Sequence, residues 1–262
     1  MPSESGLSIA PPFGYTELVT LQRTDRVLMP HGATPEFCRS VNALALSVSE
    51  FVAAGRDYPI VFVAAQDGNY TPVAVLGLSD RQNLFVNDRG EWIADTYVPA
   101  FVRRYPFCIA RIRDDKGAER TESLVCVEKA YVDAQGIALY DESGQATPTW
   151  QNVERLLQQY EADLELTRQM CAMLDKLSLF SPFRFQVTQD GAASFTLEGM
   201  HRIDEAKLVE LKPASHKALV TKGLMGRIYA HIHSLEDFGR LYGRAVSRAA
   251  EDAQRRRDSN QR

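Results

Sequence analysis

Two adjacent arginines, Arg103 and Arg104, stand beside Tyr105 and Pro106 and between Phe101 and Phe107. Arginine carries a rigid fork of five N–H donors that matches carboxylate and phosphate oxygens. In this aromatic setting the pair, with Tyr105, predicts a site for an anion or a peptide carboxylate. The alternative is structural, with an arginine paired to an acid at the rim of the core. Glu50, between Ser49 and Phe51 in an apolar stretch, is the acid that suits this role. A carboxylate on an apolar face needs a partner, or its pKa rises. Glu50 therefore reads as a counter-ion for Arg103 or Arg104, or as a ligand-binding or general-base residue.

His231 and His233 form an H-x-H pair. On a strand the two imidazoles would share a face and could ligate a metal. On a helix they would point about 200° apart and could not meet at one ion. Glu236 and Asp237 follow, but no triad of ligands is completed. His231 stays a ligand-binding candidate, with no metal and no cofactor expected. His201 and Asp204 flank Arg202, and Asp204 reads as a helix cap. There is no Gly-x-Ser-x-Gly elbow, no Gly-x-Gly-x-x-Gly loop and no Walker-type Gly-Lys-Ser/Thr, so the common routes to serine hydrolysis and nucleotide chemistry are disfavoured. Asp133, Asp141 and Glu142 are acidic but lack the order of a calcium loop.

The elements that must position these residues follow from periodicity. Phe37, Val41, Leu44, Ala45, Val48, Phe51 and Val52 recur at helical spacing and predict one or two helices over 34–54. Short apolar runs at 59–64, 73–78, 83–86, 107–113 and 123–127 predict strands. Tight turns separate several of them, at Asp67-Gly68-Asn69, Asp88-Arg89-Gly90 and 114–117, which favours antiparallel pairing. Thr147 and Pro148 suit the cap and first turn of a long amphipathic helix over about 149–178. Residues 183–188 and 193–197, joined by Asp190-Gly191, predict a hairpin. Short helices are expected over 205–211 and 216–222, and 226–233 reads as strand or helix. Ser234 with Asp237 suggests the start of a C-terminal helix over about 235–258. The fold class is α+β: a mainly antiparallel sheet of short strands packed with these two helices. One domain over 17–250 is expected, with a flexible segment at 1–16 and a flexible polar tail at 251–262.

Of the 262 residues, 45% are hydrophobic and 24% charged, and the net charge is -4. Such a chain can bury a core, and it lacks the basic surplus of a nucleic-acid binder. No apolar run reaches the ~18 residues of a membrane span, and the N-terminus does not read as a secretory signal. Cys38, Cys108, Cys126 and Cys171 show no metal spacing and sit among apolar residues. They read as reduced, buried thiols in a reducing, cytoplasmic compartment.

The segment from Tyr97 to Phe107, Tyr-Val-Pro-Ala-Phe-Val-Arg-Arg-Tyr-Pro-Phe, resembles the most recognisable stretch of the bacterial SapC family. Around it lie Ser49-Glu50-Phe51, Tyr58-Pro59-Ile60-Val61-Phe62, Leu76-Gly77-Leu78 and Asn83-Leu84-Phe85-Val86. Further on come Leu139-Tyr140-Asp141-Glu142-Ser143-Gly144 and Tyr229-Ala230-His231 before Ser234-Leu235. The likeness covers roughly residues 20–245 and excludes the transporter permease that bears the same name. It implies an association with surface-layer or envelope functions and carries over no catalytic residue. The expectation is a non-enzymatic binding or accessory protein with a protein or peptide partner. The alternatives are an enzyme of undescribed type, metal-dependent through His231, and a homodimer built on the C-terminal helix.

Overall fold

The computed structural model describes residues 11–259 apart from 31, 33, 66–67, 114–118 and 190–191. The turn expected at 114–117, the Asp190-Gly191 turn, part of the Asp67 turn and most of the 1–16 segment lie outside the described residues. The strands are β1 (Leu18–Thr20), β2 (Arg26–Val27), β3 (Ala43–Ala45), β4 (Ile60–Ala64) and β5 (Tyr70–Val75). They continue with β6 (Phe107–Arg113), β7 (Glu119–Glu128), β8 (Ile137–Ala138), β9 (Phe180–Gln189) and β10 (Ala192–Ile203). The helices are α1 (Phe51–Ala54), α2 (Ala100–Arg103), α3 (Pro148–Lys176) and α4 (Glu205–Val209). After them come α5 (Pro213–Thr221), α6 (Met225–Ser234) and α7 (Asp237–Ser259). Among the described residues every strand pair is antiparallel, and the fold is α+β with the long helix and the C-terminal helix in their expected places.

The chain divides into two compact units. The first comprises Met1–Pro35 and Val102–Ala162 and holds a three-stranded sheet of order β1-β7-β6 and the pair β2-β8. Its logic is period-two alternation with both faces covered. Phe107 and Val127, opposite each other in β6 and β7, pack with Leu139, Trp150 and Leu157. Their neighbours Cys108 and Cys126 face the other side and pack with Tyr15 and Tyr105. Thr147 caps α3 as expected, its hydroxyl accepting from Trp150 N–H at 3.3 Å.

The second unit, Glu36–Phe101 and Asp163–Arg262, carries a five-stranded sheet of order β3-β5-β4-β10-β9. Ile60, Val61 and Phe62 are buried at its centre. Phe180 packs on Phe62 at 4.8 Å and stacks on Tyr70 at 4.0 Å, while Phe238 of α7 stacks on Phe185 of β9. A bulge in β10 falls between Leu197 and Met200. Gly199, with φ of +81°, supplies the left-handed residue it needs.

Three local expectations change. Residues 34–54 form 3-10 turns at Glu36–Ser40 and Val48–Glu50, the short β3 and the four-residue α1, in place of one or two helices over the whole segment. Asn42 C=O accepts from Leu76 and Gly77 N–H at 2.7 and 3.1 Å, so a long-range ladder overrides the helical spacing. Residues 83–86 do not make a strand, and only Val86 bridges, to Trp92. The Asn83 side chain accepts from Phe85 N–H and donates to Cys38 C=O, a local alternative to pairing. Ser234 does not cap the last helix. It ends α6, where its hydroxyl donates to His231 C=O and accepts from Ile60 N–H.

Candidate functional site

Arg103 and Arg104, neighbours in sequence, meet different surroundings. Arg103 closes α2 and is exposed. Arg104 is 5% exposed, with its guanidinium 4.8 Å from the ring centre of Tyr160 and 5.7 Å from that of Tyr15. Tyr105 is half-buried and touches Tyr15 at 5.1 Å and Tyr131 at 5.2 Å. A desolvated cation–π contact contributes up to about 2 kcal/mol. The Tyr15 hydroxyl donates to Phe107 C=O at 2.6 Å. Burial raises its pKa, and the nearby Arg104 partly offsets the rise. Arg104 is thus an internal strut of its unit, and Arg103 is the arginine that reaches solvent.

Glu50 and His231 belong to the other unit. The Glu50 carboxylate is 3% exposed as a residue and collects four donors. Ser47 N–H and Ser47 Oγ each reach Oε2 at 2.8 Å. The Tyr97 hydroxyl and Ala100 N–H reach Oε1 at 3.0 and 2.6 Å. These bonds fold the turn after β3 and tie it to the segment before α2. Glu50 acts as a positioning residue.

His231 sits in α6 and is fully buried. Nε2 accepts from Ile203 N–H at 3.0 Å, and Nδ1, which therefore bears the proton, donates to Ile60 C=O at 2.8 Å. The ring joins β4 to β10 just beyond the last paired residues, Phe62 and His201. Both nitrogens are engaged with backbone, and burial lowers the pKa to about 4. Because 225–234 is helical, His233 points elsewhere, exposed beside Tyr229. Among the described residues no cluster of His, Cys, Asp and Glu could hold a metal ion.

One concave feature was not anticipated from sequence. A cleft of about 630 Å³ lies in the second unit between the end of β3, the start of β5 and the second half of α3. Leu46, Tyr70 and Pro72 line one side, and Arg168, Cys171 and Asp175 the other. Its volume falls in the ~300–1,000 Å³ range typical of ligand clefts. Among the described residues its charges balance, with Glu165 and Asp175 against Arg168 and Lys176. Glu165 accepts from Arg168 at 2.6 and 3.1 Å and from Gln169 at 3.0 Å. Thr167 pins the neighbouring turn by accepting from Val48 N–H at 2.8 Å.

All four cysteines are free and buried. Desolvation pushes the thiols of Cys38, Cys108 and Cys171 up to about 12 and raises that of Cys126. Such thiols are poor nucleophiles. No described helix is long and apolar enough to cross a membrane.

These features define an α+β protein of antiparallel sheets in which Glu50 and His231 are held by the protein's own donors and acceptors and a cleft opens beside α3. The chain belongs to the SapC family, whose model matches residues 26–241. Searches among curated proteins and among solved structures returned no match.

Proposed function

We propose that this chain is a non-enzymatic binding or accessory protein serving bacterial surface-layer or envelope functions, and that its ligand lies in the cleft beside α3. The observation that carries the reading is the cleft itself, walled by a strand edge and a long helix. The chemistry around it supports binding over turnover. The one thiol on its wall, Cys171, is held protonated by burial. The buried imidazole of the same unit is neutral with both nitrogens engaged. The family's surface-layer association supplies the setting.

Native mass spectrometry tests the reading. Wild-type chain and an Ala172→Trp chain, in which the cleft is filled, are each incubated with a pooled peptide and metabolite mixture. The expected result is a mass adduct on the wild type, released unaltered and absent from the variant. Conversion of a pool component by the wild type would overturn it in favour of an enzyme.

A narrower reading puts an anionic ligand or peptide carboxylate at Arg103, Arg104 and Tyr105. The exposure of Arg103 favours it, and within it Arg104 orders the segment while Arg103 meets the ligand.

A further inference from the structure

The cleft's inner wall is a strand edge whose backbone pairing stops early. Between β4 and β5 the ladder is bracketed by Val75 N–H donating to Pro59 C=O at 2.9 Å and Ala65 N–H donating to Asn69 C=O at 2.8 Å. In an antiparallel pair, successive residues turn their N–H and C=O groups to opposite sides. Val73 and Thr71 therefore face β4, where they oppose Val61 and Val63. Ala74, Pro72 and Tyr70 face the β3 side.

On that side the ladder runs through Leu76 N–H to Asn42 C=O at 2.7 Å, the Leu44–Ala74 pair, and Leu46 N–H to Pro72 C=O at 3.0 Å. Then the partner strand leaves. Ser47 N–H turns to the Glu50 carboxylate and Val48 N–H to the Thr167 hydroxyl. The next place in the ladder, opposite Tyr70, is taken by no strand. By the same alternation the Tyr70 N–H and C=O face this open side, Tyr70 lines the cleft, and neither group has a partner among the described residues. The Tyr70 ring is fixed by stacking on Phe180, so this edge is held rigidly.

We propose that the cleft receives an extended peptide segment of a partner protein. The segment continues the line of β3, runs antiparallel to β5, exchanges N–H···O bonds with Tyr70 and lies against α3 over 164–176. Addition of a strand to an open edge takes its affinity from main-chain bonds and its selectivity from the flanking side chains. The balanced charges of Glu165, Arg168, Asp175 and Lys176 match a backbone of no net charge and give a phosphate or polyanion no advantage. This inference rests on the cleft being the binding site and narrows its ligand to one class.

The test is selection of a random heptapeptide library on phage against the wild-type chain, with Ala172→Trp as counter-target. Synthetic versions of the enriched peptides are then measured on Tyr70→Ala, which keeps the amide, and Tyr70→Pro, which lacks it. Tyr70→Pro is expected to bind about tenfold more weakly than Tyr70→Ala, and peptide binding should slow hydrogen exchange at the Tyr70 amide. Single N-methylation along the peptide gives the same comparison on the wild-type protein, and one interior position should lose about tenfold. Equal binding by the two variants, no protection at Tyr70 and tolerance of N-methylation at every position would show side-chain recognition and overturn the inference. So would the absence of any peptide enriched over the counter-target. In either case an adduct lost only in Ala172→Trp would leave the cleft as a binding site, and its absence as well would remove both readings.

Discussion

The two units each bury a nitrogen base, and they do it in opposite ways. Arg104, in the first unit, lies with its guanidinium against the rings of Tyr15 and Tyr160. His231, in the second, is kept neutral and spends both ring nitrogens on the backbone of β4 and β10. A cation is stabilised by the negative faces of aromatic rings and by packing of its stem. A neutral imidazole offers one donor and one acceptor, which suits it to a place where two strands part and leave one of each unpaired. Burial therefore does not tell function from structure. What decides is whether any polar atom is left over to meet a ligand, and at His231 and Glu50 the protein's own donors and acceptors occupy them all.

The comparison breaks most easily at His231. His231→Ala leaves Ile203 N–H and Ile60 C=O without partners and opens a cavity, at an expected cost of about 4 kcal/mol by urea denaturation. The acid side of the stability curve comes next. The folded pKa of His231, about 4, lies below the unfolded value of 6.5. Between these limits the unfolded chain binds more protons, so the contribution is complete above pH 6.5 and is lost as pH falls toward 4. The gap between wild type and His231→Ala should shrink by roughly 3 kcal/mol across that window. A gap that stays constant would mean that the imidazole is charged in the native state. Arg104→Ala should cost about 2 kcal/mol, less than His231→Ala, through lost ring contacts and stem packing. The smallest effect is expected at the exposed neighbour, with Arg103→Ala changing stability by under about 0.5 kcal/mol. A larger loss there would make Arg103 as structural as Arg104.

Much of the fold was legible because local chemistry and tertiary demand agree. Thr147-Pro148 starts α3, Asp204 caps α4 through Ala206 and Lys207 N–H, and the alternating run at 107–113 is β6. The site was less legible. An arginine pair reads the same whether both side chains reach solvent or one turns inward, and the first unit separates Arg103 from Arg104 through contacts with rings far away in sequence. Glu50 in an apolar stretch signalled a buried carboxylate with partners, but its partners are Ser47, Tyr97 and two backbone amides. The cleft has no signature in residue type, since it arises where a strand is missing.

The sequence by itself determined the family, the α+β class, the two long helices and the presence of buried polar groups, because periodicity, caps and turn residues act over a few neighbours. Only the tertiary structure decided which of those groups are satisfied within the protein and where a sheet edge stays open. Those outcomes depend on ladder register and on donors brought from distant segments, and both are settled when the sheets assemble.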